Sequence, residues 1–306
     1  MHTLLLLAKS RDQVEYITRL KAANLPDLQI VNTPSQQVDL VFGEPNLIRE
    51  VLHLLPNLVW VQATWAGVDP LLDPSLRRDY LLTNARGVFG GLMSEFVFGY
   101  LLLNERKILQ RLEAQKRSEW DPSLTGTLKG KTIGLLGVGS IGAHIAGTAR
   151  HFGMHVRGYT RSSEGCTQVE QYFHGSDLLI FATGLDVLVS VLPNTAETRQ
   201  IINADLLSRL PKHTIFINVG RGSAVDEPAL LEALAQDNLA CAVLDVFSQE
   251  PLPHDHPFWR SKNLYITSHT AAPSLPKDIA NLFIENYLLY NKGDNLKYLV
   301  NFELGY

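Results

Sequence analysis

The glycines of GVGSIG, which are Gly137, Gly139 and Gly142, have the spacing of a turn that binds the pyrophosphate of a dinucleotide. The strand-like run TIGLL precedes the turn and an Ala/Ile-rich helical segment follows it, which is the context that this motif needs. Gly137 permits the tight turn, Gly139 lets the pyrophosphate approach the backbone, and Gly142 lets helix and strand pack closely. The start of the helix then offers free N–H groups and a partial positive charge to the phosphates. In this context we predict a dinucleotide site rather than a merely tight strand–helix turn.

Thr160 and Arg161 follow the next strand-like run, where an NAD-binding chain usually presents an aspartate or glutamate. A carboxylate at that place accepts a hydrogen bond from the ribose 2′-OH and repels a 2′-phosphate, whereas Thr160 cannot repel it. Arg161 can pair with the phosphate, and Ser162 and Ser163 can donate further hydrogen bonds. The sequence therefore predicts NADP(H) as the preferred cofactor and NAD(H) as the alternative, in which Arg161 is only a solvated surface residue.

Three further segments carry polar residues that could act on a substrate, and each follows a strand-like apolar run. They are FINVGRGSAVDEPAL with Arg221, LDVFSQEPLP with Asp245 and Glu250, and YITSHTAAP with His269. Open α/β sheets bind ligands at the carboxyl ends of their strands. These side chains are therefore the candidates for chemistry.

Short apolar runs alternate with helix-like segments along most of the chain, which predicts parallel sheets covered on both faces. A long helical stretch, about 94–117 with Ser94 as N-cap, interrupts the alternation, and the pattern restarts at KTIGLLGVG. We predict two doubly wound parallel-sheet α/β domains of the Rossmann/flavodoxin-like type with an active-site cleft between them. Residues 1–95 plus 276–306 would form a discontinuous substrate domain, and residues 96–275 the cofactor domain.

Seven motifs, in this order, resemble those of the D-isomer-specific 2-hydroxyacid dehydrogenase family, and the resemblance covers nearly the whole chain. The motifs are WAGVD, TNARGVFGGLMSEF, GVGSIG, VSVLPNTAETRQIIN, NVGRGSAVDE, LDVFSQEPLP and SHTAA. The chain is most similar to the short glyoxylate/hydroxypyruvate reductases, which also tend to carry a basic residue after the second strand of the nucleotide domain.

The resemblance implies the reduction of a 2-keto acid, with the hydride supplied by a nicotinamide. His269 would give the proton as general acid, and Glu250 would hold the imidazole and raise its pKa. Arg221 would bind the substrate carboxylate or the keto oxygen and stabilise the developing alkoxide. Backbone N–H groups of the turn Ala66–Gly67–Val68 would bind the other carboxylate oxygen. Trp65 would either form a wall of the substrate pocket or belong to the core.

The resemblance also assigns cofactor contacts to LPNTAETRQIIN, the loop expected to line the nicotinamide side, and to the residues just before Arg221. Asp245 is placed at the same site, with a supporting role favoured over a direct one. The predicted cofactor-contact residues are Gly137, Gly139, Ser140, Ile141, Gly142, Thr160, Arg161, Ser162, Leu192, Pro193, Thr198, Val219, Gly220 and Asp245. Trp120 resembles a tryptophan that in some relatives reaches the partner's active site; the alternative is an anchor in the interface of the homodimer that the resemblance implies.

Composition sets limits on the partners and on the compartment. The chain has 306 residues, a formal net charge of −4 and no block of like charges, so neither nucleic acid nor an anionic membrane is expected as a partner. The apolar run 4–8 is too short for a signal core or a membrane span. Cys166 and Cys241 are expected to be reduced thiols, and His254 with His256 lacks further ligands, so no metal is predicted. We infer a cytoplasmic protein.

We hypothesise an oxidoreductase that transfers a hydride from NADPH to a small 2-keto acid, glyoxylate or hydroxypyruvate, to give the D-2-hydroxy acid. One alternative is an NAD-dependent dehydrogenase of a bulkier D-2-hydroxy acid or of phosphoglycerate, for which Arg86 is a candidate for an extra basic group. Another is an NAD(P)H-sensing binding protein that resembles the corepressors of this fold. Replacement of His269 by Ala distinguishes an enzyme, which loses turnover, from a sensor, which loses little.

Overall fold

Two α/β units make up the protein in the computed structural model, which describes residues 1–305. The first unit comprises Met1–Phe89 together with the segment from Pro273 onward, and the second comprises Gly90–Ala272. The division proposed from the sequence, at 95/96 and 275/276, differs from this one by a few residues at each boundary. At the first boundary, the helix that starts at Gly90 belongs as a whole to the second unit. The assignment of substrate and cofactor to the two units stays a prediction.

The first unit contains a five-stranded sheet in which every pair of neighbours is parallel. Its strands are β1 (His2–Leu7), β2 (Leu28–Val31), β3 (Leu40–Gly43), β4 (Trp60–Ala63) and β5 (Leu81–Thr83). The order β2-β1-β3-β4-β5 reverses direction at β1, as in a doubly wound sheet. The apolar runs in the sequence become strands because both faces are covered; Leu4, Leu5 and Leu6 at the centre of β1 are buried.

Helices α1 (Ser10–Ala22) and α2 (Pro45–Val51) connect the strands, and a C-terminal helix (Pro276–Lys292) returns to the same sheet. The ring of Phe283 on this helix stacks on Phe42 with 4.9 Å between centroids, and on Trp60 at 5.4 Å. Stacked aromatic rings bury large apolar areas. The C-terminal helix is therefore part of the core of the first unit, although more than 180 residues of the second unit separate it in sequence.

The second unit contains a seven-stranded parallel sheet. Its strands are β6 (Thr132–Leu136), β7 (His155–Tyr159), β8 (Gln171–Phe173), β9 (Val187–Ser190), β10 (Ile215–Asn218), β11 (Cys241–Leu244) and β12 (Leu264–Ile266). The order β12-β11-β10-β9-β6-β7-β8 reverses between β9 and β6, and ligands bind at such a switch point. Both sheets confirm the predicted doubly wound parallel α/β class.

The helices of the second unit cover both faces of its sheet. They are α3 (Gly90–Glu105), α4 (Ile108–Lys116), α5 (Ser140–His151), α6 (Leu178–Ala182), α7 (Ala204–Arg209) and α8 (Glu227–Ala235); the C-terminal helix of the first unit is α9. Apolar side chains on both faces of the strands, such as Val187, Leu188 and Val189 of β9, are buried beneath them.

The long helix expected over 94–117 is two helices, and this expectation was wrong in two details. Ser94 is not an N-cap, because α3 already begins at Gly90 and buries the Ser94 hydroxyl. The helix also ends at Glu105, and Lys107 has a left-handed φ of 50° before α4 starts. Glu105 is buried and pairs with Lys131 at 2.5 Å. The end of α3 thus coincides with a tertiary contact, which helical periodicity alone does not reveal.

Candidate active site

The glycine-rich turn joins β6 to α5 and has the geometry that a pyrophosphate needs. Gly137 has φ +95°, which favours glycine, and its N–H donates to the Tyr159 carbonyl at 2.9 Å. A Cβ on Gly142 would collide with the Gly137 carbonyl oxygen, so the helix can approach the turn only with glycine there. The space beside Gly139 is open, and Gly139, the N-cap residue of α5, has no side chain that could cap the N–H groups of the first helical turn. These residues fit a dinucleotide phosphate.

Arg161 follows β7 in the loop where the sequence predicts recognition of the cofactor ribose. Its Nη2 donates to Oε2 of Glu197 at 2.6 Å, and both side chains are exposed. The preceding Thr160 donates its hydroxyl to the Ser163 carbonyl at 2.7 Å, which closes the loop on itself. Ser162 lies exposed within that loop. The loop therefore presents the Arg161 guanidinium and has no carboxylate at position 160. The acid that pairs with this guanidinium, Glu197, comes from a segment distant in sequence.

The loop after β9 packs closely against the end of β10. A Cβ on Gly220 would lie 2.7 Å from the backbone nitrogen and oxygen of Leu192, so glycine allows the two segments to touch. Thr198 donates its hydroxyl to the Pro193 carbonyl at 2.6 Å and fixes the turn. Leu192 and Val219 are buried. The predicted cofactor-contact residues of these two segments therefore form one structure at the switch point, and the contacts themselves stay predictions.

Three neighbouring strands carry the candidate catalytic side chains at their carboxyl ends. Arg221 follows β10, Glu250 follows β11, and His269 follows β12. His269 Nδ1 and Glu250 Oε2 lie 2.8 Å apart, and the other oxygen of Glu250 accepts the Phe247 N–H at 2.9 Å. The imidazole side chain is 54% exposed and the carboxylate 36%, so a substrate can reach the pair. The geometry is that of an oriented, accessible proton donor.

His269 has a left-handed backbone, with φ 55°, which is uncommon outside glycine. Its N–H donates to the Asp245 carbonyl at 2.8 Å. The Asp245 carboxylate, only 1% exposed, accepts from Thr267 Oγ1 at 2.5 Å, from Thr270 N–H at 2.8 Å and from Ala271 N–H at 3.0 Å. The carboxylate thus binds residues both before and after His269 in the sequence. Asp245 thus stabilises the unusual conformation of His269, while its predicted contact with the cofactor stays untested.

Arg221 lies next to the segment that carries Glu250, because Gly222, the residue after Arg221, has no side chain and lets the two segments touch. A Cβ on Gly222 would collide with the backbone carbonyl of Phe247, the residue whose N–H binds Glu250. The Arg221 Nη1 donates to the Gly220 carbonyl at 2.8 Å. Its charge acts on both Glu250 and His269. The structure therefore brings the three predicted catalytic residues together in the second unit.

The charges of these groups favour an imidazolium–carboxylate pair. The hydrogen bond to Glu250 raises the pKa of His269 above its ordinary value, although partial burial and the charge of Arg221 oppose the rise. Burial works to raise the pKa of Glu250, but the hydrogen bonds from His269 and from the Phe247 N–H keep it below its ordinary value. The two directions agree. His269 can therefore hold a proton ready for transfer.

The predicted substrate-binding turn lies in the first unit, directly after β4. Asn84 Nδ2 donates to the Ala66 carbonyl at 2.8 Å, and the Ala85 N–H donates to the Trp65 carbonyl at 3.0 Å. Val68 is buried, and Trp65 is half-buried. The end of β5 therefore holds the turn Ala66–Gly67–Val68 in place. Its binding of a carboxylate and the role of Trp65 stay predictions.

Arg86, the candidate for an extra phosphate-binding group, lines a cavity of about 340 Å³ in the first unit. Asp278 and Glu285 line the same cavity. Two carboxylates that line the same cavity oppose the binding of a phosphate dianion there. The surroundings of Arg86 therefore do not favour the phosphoglycerate alternative.

The described residues offer neither a metal cluster nor a membrane helix. Within residues 1–305, no group of three or more His, Cys, Asp and Glu side chains could hold a metal ion. His256 of the HDHP segment lies 3.3 Å from Glu227 and accepts the Phe258 N–H at 3.3 Å. Over the same range, no helix combines the length and apolarity needed to cross a membrane.

Comparison with known sequences relates the chain to D-isomer specific 2-hydroxyacid dehydrogenases. Residues 98–271 match the sequence model of the family described as D-isomer specific 2-hydroxyacid dehydrogenase, NAD binding domain. The chain is 35% identical, over 276 residues, to glyoxylate/hydroxypyruvate reductase A of Serratia proteamaculans (strain 568), and the match covers 87% of both chains.

Comparison with solved structures extends the similarity over nearly the whole chain. A D-isomer specific 2-hydroxyacid dehydrogenase family protein from Aeromonas salmonicida is 43% identical, with a TM-score of 0.91 and coverage of 98% of this chain and 99% of that one. An NADPH-dependent glyoxylate/hydroxypyruvate reductase from Sinorhizobium meliloti, solved with NADP and sulfate, is 27% identical with a TM-score of 0.87 and covers 100% of both chains. These similarities extend through both units.

Proposed function

The chain belongs to the D-isomer specific 2-hydroxyacid dehydrogenase family and is an NAD(P)-dependent oxidoreductase; from that membership we propose that it reduces small 2-keto acids with NADPH. Glyoxylate and hydroxypyruvate are the leading substrates, and the D-2-hydroxy acid is the product. The observation that carries the proposal is the His269–Glu250 pair, 2.8 Å apart, on the strand ends next to Arg221. These groups stand at the same edge of the sheet as the glycine-rich turn.

His269 acts as the general acid in this proposal. Glu250 binds Nδ1, so the proton leaves from Nε2 toward the keto oxygen. Addition of a hydride to the keto carbon is the chemistry that a bound nicotinamide supplies. As negative charge grows on the oxygen, the imidazolium neutralises it by proton transfer. Glu250 keeps the ring oriented and stabilises its charged form before the transfer.

Arg221 binds the substrate anion. Its planar guanidinium can form a bidentate pair with the carboxylate or donate to the keto oxygen, and in both cases it stabilises the charge that develops there. The close approach at Gly222 supports this role, because it holds the arginine beside the acid–base pair. A positive charge at this point also favours 2-keto acids over neutral ketones.

NADPH is the proposed reductant because Thr160 stands where NAD-binding chains carry an acid, and Arg161 follows it directly. The NADPH dependence named for the Sinorhizobium meliloti relative supports this choice. Arg161 would pair with the 2′-phosphate, and Ser162 would add a hydroxyl donor. NADH, which lacks that phosphate, would gain nothing from Arg161.

The roles can be tested with His269→Ala and, as matched control, His254→Ala, an exposed histidine of the HDHP segment. We expect the first variant to lose turnover of hydroxypyruvate by about 100-fold or more while it still binds NADPH, as measured by quenching of protein fluorescence. The control should retain both. Unchanged turnover in the His269 variant would refute the proposed acid and would revive a cofactor-sensing function.

We also propose a homodimer. Trp120 is 93% exposed and Leu124 88% exposed in the single chain, and neighbouring exposed apolar side chains are a feature of protein–protein interaction sites. Sedimentation of the wild type and of Trp120→Ala tests this proposal. A wild-type monomer at micromolar concentration would contradict it.

A further inference from the structure

Glu197 and Arg161 form an ion pair at the predicted adenosine-ribose end of the cofactor site. The two residues lie 36 positions apart, and Arg161 Nη2 is 2.6 Å from Glu197 Oε2. Arg161 follows β7, whereas Glu197 lies in the turn after β9. The acid therefore comes from a second segment and reaches the guanidinium that the proposed function assigns to the 2′-phosphate.

Arg161 and Glu197 both lie in loops whose backbone is held by hydrogen bonds. In the turn that carries Glu197, Thr198 donates its hydroxyl to the Pro193 carbonyl at 2.6 Å and accepts the Thr195 N–H at 3.0 Å. The next residues are fixed as well, since the Gln200 N–H donates to a carbonyl of the 222–224 turn at 2.8 Å. On the other side, Thr160 closes the loop that carries Arg161. The ion pair thus joins two fixed segments.

We infer that Glu197 is a specificity-determining residue, an internal anion that competes with the 2′-phosphate of NADPH for Arg161. This inference rests on the proposed 2′-phosphate site. A phosphate dianion binds a guanidinium more strongly than a carboxylate does, so NADPH displaces Glu197 from Arg161. The displacement breaks the Arg161–Glu197 pair, and the energy of that pair is lost from the net binding energy of NADPH. The displaced carboxylate then also repels the phosphate. Glu197 therefore lowers the affinity for NADPH and leaves the affinity for NADH almost unchanged.

The size of the effect follows from the exposure of the pair. Arg161 is 48% exposed and Glu197 69%, and ion pairs of such exposure contribute little. Removing the acid should therefore tighten the binding of a 2′-phosphate by about threefold to tenfold, not by orders of magnitude.

The same loop offers a matched control. Glu164 is also exposed, but its carboxylate pairs with His174 Nε2 at 2.8 Å instead of with the arginine. The other ring nitrogen, His174 Nδ1, lies 2.9 Å from the Thr160 carbonyl, so Glu164 is directed away to a different partner. Glu164→Gln therefore removes one negative charge from the loop that carries Arg161 and leaves the Arg161–Glu197 pair in place.

The experiment uses two nucleotide probes, adenosine 2′,5′-bisphosphate and 5′-AMP, titrated calorimetrically into the full-length protein. The variants are Glu197→Gln, Glu164→Gln, Arg161→Gln and the double variant with Arg161 and Glu197 both replaced by Gln. We expect Glu197→Gln to bind the bisphosphate about threefold to tenfold more tightly and to bind 5′-AMP like the wild type. In the Arg161→Gln background, the same substitution should change bisphosphate affinity by less than about twofold.

Two results overturn the inference. One is unchanged bisphosphate affinity in Glu197→Gln; the other is equal tightening by Glu164→Gln, which would indicate a general charge effect. The Arg161→Gln variant separates this failure from a failure of the proposed cofactor site. If Arg161→Gln weakens the bisphosphate and Glu197→Gln does not tighten it, only the competitor role falls. If Arg161→Gln has no effect, the 2′-phosphate site and the inference fall together.

Discussion

Replacement of Asp245 by Asn should damage catalysis through the conformation of His269. The buried carboxylate accepts hydrogen bonds from Thr267, Thr270 and Ala271, and its backbone carbonyl accepts the His269 N–H. Asparagine has the same shape but keeps only one oxygen. Its amide N–H₂ would then face an N–H donor in a site that is 1% exposed.

The lost contacts determine the size of the expected effect. A hydrogen bond to a charged group contributes about 1.5–3 kcal/mol, and leaving a buried donor without a partner costs a similar amount. We therefore expect the free energy of unfolding to fall by about 3 kcal/mol. The left-handed φ of His269 itself costs about 1–3 kcal/mol. If the hydrogen bonds of Asp245 no longer hold this conformation, the population of the productive His269 conformer falls, and kcat falls with it by about tenfold to 100-fold.

The assay is steady-state reduction of hydroxypyruvate together with urea unfolding, with Asp186→Asn as control. Asp186 also accepts a backbone N–H, from Thr132 at 2.7 Å, but it lies at the amino end of β9, away from the catalytic edge. We expect the control to lose stability and to keep kcat. A positioning role predicts a low kcat with nearly unchanged KM for NADPH, whereas a direct cofactor contact predicts a higher KM. A wild-type kcat in folded Asp245→Asn would show that Asp245 does not position His269.

Three further changes probe the same site. Glu250→Gln removes the group that raises the pKa of His269, so the decline of kcat/KM for keto-acid reduction as pH rises should begin at lower pH; superimposable profiles would contradict the pairing. Gly222→Ala should destabilise the second unit by about 3 kcal/mol, because its Cβ meets backbone of Phe247, and an unchanged urea midpoint would disprove that contact. Arg221→Lys should raise the keto-acid KM by about tenfold with unaltered NADPH binding; a wild-type KM would exclude bidentate recognition.

Much of the fold follows from local sequence, because apolar runs and helical periods need no knowledge of distant contacts. The strands that carry Arg221, Asp245 and His269 are each a short apolar run with a polar residue at its end. Parallel pairing then brings neighbouring strand ends to one edge. The candidate site could therefore be predicted as a set of residues before any distance was known.

Other features depend on contacts that local sequence does not encode. The helix α3 ends at Glu105, which pairs with Lys131, and Lys107 is left-handed, whereas periodicity predicted one helix that continues to about residue 117. Glu197 is an ordinary surface acid in sequence, and its pairing with Arg161 requires the arrangement of two loops. Gly222 gives only a weak signal in the sequence, since glycine permits a close backbone approach but also serves in ordinary turns.

The most direct test of the proposed function is the initial rate of cofactor oxidation with hydroxypyruvate and with glyoxylate, comparing NADPH and NADH at matched concentrations. We expect turnover of both keto acids and a higher kcat/KM for NADPH than for NADH. A clear preference for NADH would contradict the role of Arg161 and leave the catalytic residues in place. The absence of turnover with either cofactor would contradict the proposed substrate class.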